Sequence, residues 1–206
     1  MTRMQESARK HHIYYGWVIV IVVALASFTQ SAETYPVMSV FLKPITEEFG
    51  WSRSLFTGSL TIGTLLGGLI AIVAGRFIDR FGARWLLTAA FAIVGLALFL
   101  LAFIDNLTQF YILQIIGRSL AMGVIALALR TVIPKWFVVK RGKAVALSGL
   151  GIRLGNAITP LYIQALVGVG GWRLATAASG IAVWVLSLLP IAILFRRRPE
   201  DMGLLP

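Results

Sequence analysis

Glu33, Arg118 and Arg153 stand deep inside long apolar runs of this 206-residue sequence. An ionised group in such surroundings is costly, and it faces a cavity, a partner or a functional site. Two buried-depth arginines are suited to hold an anionic substrate or to flank a coupled proton site, and Gln30 and Asn156 would complete a polar lining. The structural alternative is that Glu33 and Arg118 simply pair and hold two helices together. No cysteine is present, so disulfides, thiolate nucleophiles and Cys-based metal sites are excluded. The only histidines, His11 and His12, are adjacent in a polar N-terminal tail, and a solvated tail explains them better than a metal site. Neither a metal nor a bound cofactor is implied.

What positions these groups follows from composition. Hydrophobic residues make up 58% of the chain and charged ones 13%, at a mean hydropathy of +0.86. That is too little charge to cover a soluble domain and is the signature of membrane spans of about 20 residues. Six spans are predicted, at about 15–42, 53–76, 84–104, 107–133, 143–168 and 173–195. A tail over 1–14 precedes them, and 196–206 reads as the start of a linker. The first run is too long for a signal peptide and reads as a retained helix. All spans read as helices, because the alternating pattern of a barrel is absent and lipid tolerates only these two solutions. At 1.5 Å per residue, Arg118 lies roughly 20 Å beyond Asp105 and Arg153 roughly 15 Å beyond Lys143, so both approach the midplane. Arg130 falls near the inner surface and is expected to snorkel.

The net charge of +11 would raise nucleic-acid binding in a soluble protein. Here the basic residues cluster between apolar runs. With the N-terminus inside, thirteen fall on the inner side, among them Arg76, Arg80, Arg84, Lys135, Lys140, Arg141 and Lys143. Only Lys43, Arg53 and Arg173 fall outside. The positive-inside rule places both termini in the cytoplasm of a cell whose plasma membrane holds the chain. The expected partner surface is a lipid bilayer, with no role for nucleic acid. Trp17, Trp51, Trp85, Trp136 and Trp172 lie near span ends and read as interfacial anchors. Glycines cluster at 58, 63, 67, 68 and again at 149, 151, 155, marking close helix packing. Pro36 and Pro160 are candidate kinks.

The stretch GRFIDRFGARWLL, residues 75–87, is the predicted inner turn between the second and third spans. Gly75 is expected to end the second helix against a neighbour and Gly82 to turn with positive φ. Asp79 at a helix C-terminus needs a cation or another helix's N-terminus nearby, and Arg80 and Arg84 are the candidate cations. A plain positive-inside loop would also carry such charge. The ordered set Gly75, Asp79, Arg80, Gly82 and Arg84, however, resembles the G-x-x-x-D-R-x-G-x-R signature of the major facilitator superfamily. Arg118 with Gly123 resembles that family's second motif. YYGWVIV at 14–20, VFLKPITEEFGWSRS at 40–54 and WFVVKRGKA at 136–144 are similar to its monocarboxylate-carrier and oxalate/formate-exchanger branch.

The resemblance implies an all-α integral membrane fold with six transmembrane helices in a 3+3 inverted repeat, half of a twelve-helix carrier. It implies a secondary transporter of small organic anions, not an enzyme, completed by a missing C-terminal six-helix half or a second copy. One departure is the stretch Tyr35 to Met38, which lacks the lysine that many proton-linked monocarboxylate carriers place in outer helix one. An intramembrane protease is excluded, since no histidine or aspartate lies in a predicted span, and a lipid-phosphate transferase lacks its aspartate cluster. A half-size module acting as a dimer or as a structural partner is the alternative.

Overall fold

The computed structural model describes residues 14–137 and 139–195. Arg3, Arg9, Lys10, His11 and His12 and the basic run Arg196, Arg197 and Arg198 lie outside the described residues. Among those described, the chain is helical and contains no strand. Five helical elements are long and apolar enough to cross a membrane.

The first element, Gly16–Phe49, is broken in the middle. Helix α1 (Gly16–Gln30) tightens into a 3-10 turn, Ser31–Glu33, and Thr34 is extended at φ −85° and ψ 159° before α2 (Tyr35–Phe49) begins. Pro36 lies in the first turn of α2, where its missing N–H is harmless and from where it bars a continuous α ladder. Gly50, at φ +66°, ends α2.

Helix α3 (Arg53–Phe81) starts on Ser52, whose side chain accepts the Leu55 N–H. Gly82 alone joins α3 to α4 (Ala83–Leu101); its φ of +85° and ψ of 161° belong to a region that glycine all but monopolises. Asn106 caps α5 (Leu107–Leu120) by accepting the Gln109 N–H at 2.9 Å. A π-helical turn, Ala121–Ile125, leads into α6 (Ala126–Trp136).

The last apolar element covers Arg141–Leu194 and contains both predicted spans 143–168 and 173–195. Its main helix, α7 (Arg141–Val183), includes two non-helical residues, Gly170 and Gly171, the latter at φ +74°. Before this joint α7 runs alongside α1 in the same direction, Gly151 against Ala24 and Gly155 against Phe28. After it the chain retraces α4: Arg173 donates to the Ala102 carbonyl, Trp184 to Ala92, and Arg84 reaches Ala192. The chain therefore reverses at two glycines, a joint so short that both segments form one helical element. A second π turn, Trp184–Leu188, precedes α8 (Leu189–Leu194). The other predicted kink, Pro160, lies within α7 without non-helical angles.

Close backbone approach holds the bundle. A Cβ on Gly123 would collide with the Gly67 carbonyl, and one on Gly151 with the Ala24 carbonyl. Away from these seams Leu65, Ile72 and Leu161 are 65%, 67% and 71% exposed, faces suited to hydrocarbon rather than water.

The two ends are tied differently. At one, Glu48 pairs with Arg173 at 2.8 Å and accepts the Trp172 indole N–H. At the other, Tyr14 donates to the Trp136 carbonyl at 2.8 Å and Tyr15 to that of Leu194 at 2.7 Å. Trp136 is fully buried and Trp172 4% exposed, so these two pack inside the bundle rather than anchoring in lipid, as Trp85 at 72% is free to do.

Candidate functional site

The break in the first element creates the first of two polar groupings. When the ladder resumes, with the Met38 N–H on the Thr34 carbonyl at 2.9 Å, the Glu33 carbonyl is left out of it. Arg118, at the end of α5, donates Nη1 to that carbonyl and Nε to the Thr64 hydroxyl at 2.8 Å. Its guanidinium lies 4.1 Å from the ring centroid of Tyr35, a cation–π contact. The Glu33 carboxylate accepts from Gln114, one turn before Arg118, at 3.2 Å. Gln114 Oε1 is buried and has no hydrogen-bond partner among the described residues. Glu33 and Arg118 thus meet, but the direct bond runs to main chain rather than carboxylate.

The second grouping is a cavity of about 520 Å³ between α1, the π turn with α6, and α7. Its walls are mainly apolar, with Ser27, Gln30, Thr34, Ser148 and Arg130 as the polar members. Gln30 donates to the Ala121 carbonyl, the first of the π turn, at 2.9 Å. The neighbouring Thr29 bonds to Ser187 in the second π turn, so both π turns are held from one spot on α1. Thr34 donates to Asn156 Oδ1 at 2.8 Å and ties α7 to the break.

The predicted path residues are therefore divided. Glu33 and Arg118 are buried in the first grouping, Gln30 lines the cavity, and Asn156 holds its rim through Thr34. Arg153 is exposed beside the cavity, one position past the lining residue Ile152, and joins neither. Thr34, Thr64 and Gln114 were not predicted. Gln114 was discoverable, since a residue four before Arg118 shares its helix face. Arg130 lines the cavity instead of only reaching for the surface.

In the loop motif Gly82 turns with positive φ, as its spacing requires. Gly75 does not end its helix: α3 continues to Phe81, and a Cβ at Gly75 would meet only Leu127, at 3.8 Å. Asp79 is exposed and makes no ion pair among the described residues. Arg84 instead donates to the Ala192 carbonyl in α8 and packs over Trp85. No metal-binding group of acids and histidines occurs among the described residues.

Residues 17–206 match the family described as the Major Facilitator Superfamily. The chain belongs to this superfamily. It is 33% identical over 162 residues to "Probable anion transporter 2, chloroplastic" of Oryza sativa subsp. japonica, covering 74% of this chain and 30% of that one. It is 26% identical over 204 residues to the uncharacterized MFS-type transporter YcxA of Bacillus subtilis, covering 95% and 47%. A probable L-galactonate transporter of Escherichia coli is 28% identical over 137 residues, 66% of this chain and 30% of that one. In fold this facilitator resembles the inward-open xylose transporter XylE from E. coli, with a TM-score of 0.72 at 17% identity over 91% of this chain and 50% of that one. The chain spans half or less of the length of these relatives. A superfamily member with this helix content is a multi-pass membrane protein.

Proposed function

We propose that this chain supplies one six-helix half of a secondary transporter for small organic anions, working by alternating access. The observation that carries the reading is the cavity between α1, α6 and α7, walled by apolar residues and lined by uncharged polar groups and one arginine. A solute path needs such a surface near the membrane middle, faced by a second bundle. The element Arg141–Leu194, which reverses at Gly170–Gly171, counts as the fifth and sixth spans, giving two sets of three. Glu33 and Arg118 are the coupling pair: a carboxylate beside a fixed cation, at a helix break, is placed to gain and lose a proton as the break moves. Gln30 and Asn156 position the break against the cavity, and Arg153 faces the second bundle. The second bundle is a C-terminal six-helix half or another copy of this chain. The protein sits in the plasma membrane with both ends in the cytoplasm, and the monocarboxylate and oxalate/formate carriers are the branch it fits.

Uptake into proteoliposomes tests this. The complete carrier should take up a labelled monocarboxylate, driven by a proton or counter-anion gradient, and the 206-residue chain alone should not. Uptake by the lone monomeric chain would refute the half-carrier reading. Absence of gradient-driven uptake by the complete carrier would refute transport of monocarboxylates.

A further inference from the structure

Arg118 and Arg153 are the mid-span cations, and neither lines the cavity. Arg118 is 2% exposed, with Nη1 on the Glu33 carbonyl and Nε on Thr64. Arg153 stands outside the cavity lining. Arg130 is different. It is the cation in the lining, it is exposed, and it makes no hydrogen bond or ion pair among the described residues. No acidic residue lines the cavity to neutralise it. The apolar members of the lining include Leu129, Ile133, Val145, Ile152, Met122 and Val23.

We propose that Arg130 receives the head of the transported anion and that the ligand class is a monocarboxylate with an apolar body. This rests on the transport reading above and adds to it the binding residue and the apolar body of the ligand. A guanidinium offers two parallel N–H donors to a carboxylate, a geometry that lysine lacks. A monoanion is neutralised by the one arginine, and its hydrocarbon part meets the apolar walls. A dianion would leave its second charge against those walls without a partner, which is strongly unfavourable. A neutral sugar would leave Arg130 unpaired and its own hydroxyls facing aliphatic side chains. Six residues from the end of α6, Arg130 sits roughly 9 Å from Trp136 along the axis, so the head binds toward the Trp136 end and the body points toward Gln30 and Thr34.

The test is binding of labelled hexanoate to the purified complete carrier, with succinate and xylose as competitors. Hexanoate should bind and be displaced by unlabelled hexanoate, while tenfold higher succinate or xylose should not displace it. Arg130→Gln should weaken hexanoate binding at least tenfold and Arg130→Lys by a smaller factor, with melting temperatures close to wild type because the side chain is exposed. Arg53→Gln, outside the cavity lining, should bind as wild type. Should Arg130→Gln fail to accumulate, Arg130→Lys is decisive: weaker binding at an unchanged melting temperature supports the assignment. Wild-type affinity in either Arg130 variant would overturn it and leave Arg130 a snorkelling residue. Tighter binding of succinate than of hexanoate would overturn the ligand class while leaving an anion transporter. Gradient-driven uptake of xylose without binding of either carboxylate would remove the anion reading itself, and this proposal with it.

Discussion

At the scale of single residues, Arg118 bonds to a carbonyl that belongs to the backbone of Glu33, and this separates two roles that the sequence could not. An ion pair between side chains would vanish on Glu33→Gln, and Arg118→Met would then cost nothing more. A bond to the carbonyl survives that change. Arg118→Met should therefore lower stability in both the wild-type and the Glu33→Gln background, by about 1.5–3 kcal/mol, the usual worth of a hydrogen bond to a charged group. Thermal melts of the two pairs decide it, and an unchanged melting temperature in the Glu33→Gln background would restore the simple ion pair. The presence and depth of these charges were legible from their places in the apolar runs. The atom that Arg118 would choose was not, because it depends on a 3-10 turn that takes one carbonyl out of the ladder. That Arg130 lines a cavity was not legible for a related reason: closeness to a span end is visible in sequence, whereas the divergence of three helices is not.

At the scale of elements, glycines of the same helix do unlike work. Gly67 and Gly123 bring α3 and the π turn to backbone contact, while Gly68 has nothing within 4 Å of its would-be Cβ. Gly123→Ala must push two helices apart and should cost about 1–3 kcal/mol, as overpacking does. Gly68→Ala should be neutral or slightly stabilising, since alanine is the better helix former. Equal effects of the two would show that the seam is not tight. Gly82→Ala places a side chain at φ +85° and should cost on the order of 1–3 kcal/mol, read as a lower melting temperature. A melting temperature equal to wild type would mean that the α3–α4 turn adopts another conformation in the membrane. Periodicity and turn chemistry made the helices and Gly82 legible. Gly75 was misread as a helix end, because a glycine between apolar and charged residues looks the same whether or not the helix runs on.

At the scale of the whole molecule the outstanding matter is which end faces which side. The Glu48–Arg173 pair, with Trp172, ties α2 to the joint of α7, and the Tyr14, Tyr15 and Arg84 contacts tie the opposite end. Charge counting assigns the Glu48 end to the outside. Because the chain has no cysteine, one introduced at Asn106 should react with an impermeant thiol reagent on intact cells. One at Lys140 should react only after lysis. The reverse pattern would invert the topology and with it the side on which Arg130 first meets its ligand. Composition made the membrane class plain. The reversal at Gly170 and Gly171 was legible only as a short connection, since in the fold it leaves one nearly continuous helical element.

The Tyr14, Tyr15 and Arg84 contacts also bear on how the protein is made. Each donates to a carbonyl in the last turn of a distant helix, at Trp136, Leu194 and Ala192. Such terminal carbonyls have no partner within their own helix. The acceptors at 192 and 194 leave the ribosome more than a hundred residues after their donors. Those donors are thus in place before α8 exists, and α8 docks onto a berth made by the early helices. A chain whose synthesis begins after Tyr15 would leave the Trp136 and Leu194 carbonyls without those donors, and Arg84 alone among the three would receive α8.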